Sequence, residues 1–139
     1  MMNFEVDFHA WLVDQAAVLR ARDYEAVDCE ALAEEIEAMA RAERREVMSR
    51  LVTLLMHLLK LKFEPQEIRR HHGWRSTVIE ARRQIRLILN DSPSILQGRR
   101  EQVMAEAYQA AREDAASESG LPLGIFPEHC PWTYEQIMD

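Results

Sequence analysis

His57 is the residue of this chain best placed to do chemistry. It is a titratable ring in the run L-V-T-L-L-M-H-L-L-K-L at positions 51–61, with Thr53 and Lys60 four before and three after it, on one narrow side of a helix. An imidazole there could act as a general base or metal ligand, with Glu34 or Glu35 from the preceding helix as its carboxylate partner. The competing reading is a core histidine satisfied by one neighbour. Other ligand types are thinly spread. The chain has no Glu-x-x-His of the di-iron bundle type and no His-Glu-x-x-His. Glu5 with His9 and Glu67 with His71 sit four apart, and His72 and His129 stand elsewhere, so a metal site would have to be assembled in space. Spacing alone therefore predicts no metal, and His57 with Glu34 are the residues a metal would call on. Cys130 lies beside His129, but thiol activation depends on geometry through space rather than adjacency in sequence. Gly73, Gly98, Gly120 and Gly124 are too scattered for a nucleotide-binding loop, and no cofactor is implied.

A second constellation is a basic band, Arg69, Arg70, His71, His72, Arg75, Arg82, Arg83 and Arg86, with Trp74 inside it. Such a band could grip phosphates while the indole stacks on a base. Trp74, however, is in register with an apolar stripe and should point inward. The chain's net charge of −7 also opposes a nucleic-acid surface. Arg75, Arg82, Arg83 and Arg86 are then better read as a solvated face or as a surface that docks acidic helices. Charge is blocked along the chain. Residues 1–40 hold ten acids and two bases, 41–100 hold fourteen bases and six acids, and 101–139 hold eight acids and one base.

The elements that must position these residues are helical. The length of 139 residues suits one domain over 1–139, and four glycines with five prolines leave little material for a β fold. Phe4, Phe8, Trp11, Leu12 and Leu19 share one side of a helix over 5–20. Asp28 is placed to cap a second helix that buries Leu32, Ala33, Ile36 and Met39 and turns Glu30, Glu34 and Glu37 outward. Carrying its phase onward would bring Glu43 to the apolar side, which predicts a kink or break near 41–44. The leucine-rich helix that follows, apolar over most of its girth from Val47 to Leu61, must be enclosed by its neighbours. Pro65 ends it, and a loop runs to about Gly73. Trp74, Val78, Ala81, Ile85 and Ile88 give an amphipathic helix ending near Asn90. A short turn around Pro93 precedes a long helix over about 99–119, with Val103, Ala107, Ala110 and Ala111 inward, Met104 and Tyr108 adjoining that face, and Gly120 with Pro122 as its stop. The tail over 121–131 should lie extended on the bundle, and Thr133 with Gln136 cap a last turn anchored by Trp132 and Ile137.

Several segments together resemble a bacterial family known as the domain of unknown function numbered 29, common in cyanobacteria and proteobacteria. The matching pieces are D-F-H-A-W at 7–11, L-A-E-E-I-E at 32–37, R-R-E at 44–46, L-L-M-H-L-L-K at 54–60, W-R at 74–75, S-P-S at 92–94, A-Y-x-x-A-R at 107–112 and C-P-W-T-Y-E-Q-I at 130–137. They span essentially the whole chain. The resemblance implies an all-helical fold and carries no established activity.

The expectation is an all-α bundle of about five helices with an extended tail ending in a short helix. Its role is expected to be that of a non-catalytic protein-interaction module. One rival is a metal-dependent enzyme using His57 with Glu34 or Glu35, and another is a nucleic-acid-associated protein using the band 69–86. The longest apolar run is about half of a membrane span, the N-terminus carries acids where a secretory signal needs bases, and Cys29 and Cys130 suggest no disulfide framework. These features predict a cytoplasmic protein with a protein partner rather than a membrane or nucleic-acid partner.

Overall fold

The computed structural model describes residues 7–65 and 74–139. Phe4, Glu5, Glu67, Arg69, Arg70, His71, His72 and Gly73 of the expectations above, and with them the loop expected after Pro65, lie outside the described residues. The described residues form five α-helices and no strand: α1 (Phe8–Arg20), α2 (Cys29–Phe63), α3 (Trp74–Asp91), α4 (Arg100–Ser119) and α5 (Tyr134–Met138). Short 3₁₀ turns lie at Tyr24–Ala26, Pro93–Ile95 and Leu123–Ile125.

Helix α2 runs 35 residues without interruption, so the break expected near 41–44 is absent. It contains no Gly or Pro, and its middle is built from Ala, Arg, Glu and Met, which favour helix most strongly. A break would follow only if both halves of the helix buried one stripe. They do not. In the first half the half-buried positions are Ala31, Leu32, Glu35 and Ala38, whereas Ile36 and Met39 are 64% and 70% exposed and Ala33 is exposed too. Glu43 consequently faces water, where its carboxylate accepts a hydrogen bond from Ser92 Oγ (3.2 Å).

The chain divides into two compact units, Met1–Ala40 and Arg41–Asp139. In the first, Asp7 caps α1 by accepting from the Ala10 N–H (2.9 Å). This places the helix start at Phe8 rather than residue 5. Of the apolar side expected for this helix, Trp11 is buried while Phe8, Leu12 and Leu19 are exposed. Gln15 is buried instead, because its Oε1 accepts from the Asp28 N–H (2.8 Å) at the entry to α2. Asp28 Oδ1 in turn accepts from the Ala31 N–H, capping α2 as expected. Helix α1 closes with two nested bonds, Asp23 N–H to Val18 O and Arg22 N–H to Leu19 O, which is a Schellman ending. The left-handed position of that motif is held by Arg22 (φ 60°), where glycine has no Cβ penalty.

The second unit holds the core. Every residue from Leu51 to Leu61 is buried or half-buried, and Leu51, Leu54, Leu55 and Leu59 are completely buried, each contributing roughly 1.5–3 kcal/mol by leaving water. Around them pack Val78, Ala81 and Ile85 of α3, Met104, Ala107, Tyr108, Ala111 and Ala115 of α4, and Phe126 and Ile137 of the tail. Ala107, Ala111 and Ala115 of α4 are completely buried in the same core. Gly120 ends α4 in the left-handed conformation (φ 72°). Beyond it three side chains of α4 staple the tail: Arg112 Nε donates to Phe126 O, Tyr108 Oη to Pro127 O (2.6 Å) and Gln109 Nε2 to Glu128 O. Thr133 and Gln136 form the reciprocal cap of α5.

Replacing Arg22 by glycine should relieve the left-handed strain and raise unfolding free energy by roughly 0.5–1 kcal/mol. Urea denaturation of wild type and Arg22→Gly measures it; an unchanged or lower midpoint would show that the arginine is not strained there.

Candidate functional site

The residues singled out by sequence fall into three groups. His57 sits half-buried on α2, where its Nδ1 donates to the Thr53 carbonyl (2.8 Å) and its ring meets Trp74 edge-on, centroids 6.3 Å apart. Lys60, one turn on, is buried with its ammonium 2.5 Å from Glu118 Oε2 and 5.4 Å from the Trp74 ring centroid. His57 Nδ1 and the Lys60 ammonium thus both have a partner inside the second unit. Glu34 and Glu35 belong to the first unit, on the same helix as His57. Residues of one helix meet at spacings of three and four, so α2 does not itself pair them with His57. Among the described residues no group of three His, Cys, Asp or Glu gathers in a way that could hold a metal.

Among the described residues of the basic band, Arg82 and Arg86 hold the fold together. Arg82 Nε donates to Ile137 O (2.8 Å) and Arg86 to Met138 O, so both satisfy carbonyls left open at the C-terminal end of α5. Arg83 pairs with Glu80 on its own helix. Trp74 is buried, as its place in the apolar stripe requires. Of the four arginines proposed for docking, Arg75 alone is exposed with no ion pair or hydrogen bond of its side chain among the described residues.

Cys130 lies half-buried with its thiol against Trp132 O (3.4 Å), and burial pushes its pKa up, the reverse of what a nucleophile needs. Burial likewise raises the Tyr108 phenol to about 12 from the ordinary 10.0, with a contribution from Cys130 and partial relief from Arg112. Both are therefore neutral packing groups under the tail.

One arrangement was not foreseen. Arg41, Arg44 and Arg45 on α2 and Arg99 just before α4 ring a hollow of about 430 Å³, lined beneath by Val47, Met48, Ile95, Leu96 and Val103. All four arginines are exposed, and none has an ion pair or side-chain hydrogen bond among the described residues. Arg41 stands three and four positions from Arg44 and Arg45, spacings at which like charges destabilise a helix. The sequence signal was the start of the basic block at Arg41. That signal does not disclose the ring, because Arg99, 54 positions on from Arg45, joins it only through folding.

The model of a protein family described as "Domain of unknown function DUF29" matches residues 4–139, and the chain belongs to that family. No curated protein and no solved structure matches it.

Arg82→Ala should cost roughly 1.5–3 kcal/mol, because a charge-assisted bond is lost and the Ile137 carbonyl is left open. Arg83→Ala, at an exposed pair, should stay within about 0.5 kcal/mol of wild type. Equal effects in the two denaturation curves would refute the clasp. In an absorbance titration, one tyrosinate step should come late, near pH 12, and be missing from Tyr108→Phe. The folded state favours the neutral phenol. That part of stability is complete below pH 10 and drains away as pH rises through 12, so thermal melts between these values should fall less steeply in the variant.

Proposed function

We propose that this member of the family is a non-catalytic, cytoplasmic protein-interaction module that docks an acidic amphipathic helix on the arginine-rimmed hollow of its second unit. The observation carrying this reading is the set of four guanidiniums, Arg41, Arg44, Arg45 and Arg99, which ring an apolar floor and have no carboxylate partner among the described residues. An apolar floor with a charged rim is the plan of a helix-binding groove, in which apolar anchors fill the hollow and acids on the flanks meet the rim. The rim charges set orientation and association rate, and the floor supplies affinity. The chemistry of the other residues is consistent with such a role, since His57, Lys60, Tyr108 and Cys130 are all taken up in packing. Two free cysteines suit a reducing compartment. Among the described residues no helix is long and apolar enough to cross a membrane.

A fluorescein-labelled helical peptide of Leu, Ala and Glu, with leucines on one face and glutamates flanking them, is the probe. Anisotropy titration should give saturable binding that weakens about tenfold or more in Arg44→Glu/Arg45→Glu and on raising salt from about 0.05 to 0.5 M. The same peptide with Lys in place of Glu should not bind. Equal binding of both peptides, or indifference to the double substitution, would remove the reading.

A further inference from the structure

We infer that the acidic helix docked on this rim is the first part of α2 from a second copy of the chain, so that two copies pair antiparallel through α2. The inference rests on the docking reading above and adds the identity of the partner. Glu30, Glu34, Glu37, Arg41, Arg44 and Arg45 follow one another at spacings of four, three, four, three and one along an unbroken helix, so they form a single ribbon on one side of it. All six are exposed, and none has an ion pair or side-chain hydrogen bond among the described residues. The N-terminal half of the ribbon is wholly acidic and the C-terminal half wholly basic.

A ribbon of this kind is complementary to itself in one direction only. A two-fold axis crossing α2 near residue 39 sets Glu37 against Arg41 of the second copy and Glu34 against its Arg44 and Arg45. The symmetry repeats each contact on the other side. Parallel pairing would instead stack acids on acids. Along one edge of the ribbon run Ala33, Ile36 and Ala40, all exposed, with Ile36 at 64%. The alanines let two backbones approach closely, and the two Ile36 side chains share that edge of the pair. The self-repulsion among Arg41, Arg44 and Arg45 is relieved in the same step. Exposed ion pairs are individually weak, so the pair should be reversible, salt-sensitive and populated at micromolar concentrations and above.

Sedimentation velocity of the whole chain at about 10–200 μM tests this. Wild type should shift from monomer toward dimer with concentration, and the apparent dissociation constant should weaken about tenfold or more between about 0.05 and 0.5 M salt. Two variants complete the test, Glu30→Arg/Glu34→Arg/Glu37→Arg and Arg41→Glu/Arg44→Glu/Arg45→Glu, each checked for wild-type helicity by circular dichroism. Alone, each should remain monomeric, since its ribbon is of one sign. Mixed in equal amounts they should form a heterodimer. A wild type that stays monomeric throughout, a dimer indifferent to salt, or a mixture that does not associate would each overturn the inference. Should either variant misfold, the wild-type salt series and the single substitution Arg45→Glu, compared with Arg50→Glu whose arginine pairs with Glu46 within one helix, decide the matter. A monomeric wild type that still binds the acidic peptide through Arg44 and Arg45 would remove the second copy as partner and leave the docking reading standing; if the peptide also fails to bind, both fall.

Discussion

The second unit depends on removing four leucines, Leu51, Leu54, Leu55 and Leu59, completely from water. A helix with so wide an apolar surface cannot be covered by one neighbour. Helices α3 and α4 both contribute to covering it, and the tail adds Phe126 and Ile137 to the same core. The other specialised contacts follow from that closure. The extended tail and the open end of α5 both leave carbonyls without a backbone partner; Arg112, Tyr108 and Gln109 supply donors to the first, and Arg82 and Arg86 to the second. Five polar side chains are thus committed to one segment of some twenty residues after α4.

The two halves of α2 obey different rules although no break separates them. From Val47 onward its apolar residues are enclosed, whereas Ile36 and Met39 are left exposed. Helix propensity explains the continuity, and it is indifferent to burial: Ala, Glu and Arg propagate a helix whether or not a neighbour covers it. The result is a stretch along which Glu30, Glu34, Glu37, Arg41, Arg44 and Arg45 all stay exposed. The arginine-rimmed hollow belongs to the same logic. Its floor includes the rim of the core at Val47 and Met48, and its four arginines stay exposed around it.

The chemistry read from His57 and the basic band changes character once neighbours are present. An imidazole on a buried stripe is equally compatible with catalysis and with packing until its partners are known, and here they are the Thr53 carbonyl and the edge of Trp74. Arginines on the outer face of α3 look free in a helical projection. Arg82 and Arg86 are engaged because α5, more than fifty positions later in sequence, brings its open carbonyls beneath them.

Periodicity, caps and breakers act over a few residues, and so the all-helical class, the enclosure of 51–61, the inward face of α3, the glycine stop of α4 and the cap at Thr133 were all legible in the chain itself. Family membership was legible for a related reason, since it is carried by short segments spread over residues 4–139. The burial of Gln15 in place of Leu12 and Leu19, the exposure of Ile36 and Met39, the clasp of Arg82 and Arg86 and the assembly of Arg99 with Arg41, Arg44 and Arg45 were decided only by tertiary structure. Each depends on which surface happens to lie opposite, and a hydrophobic pattern states that a face can be buried without stating that anything arrives to bury it.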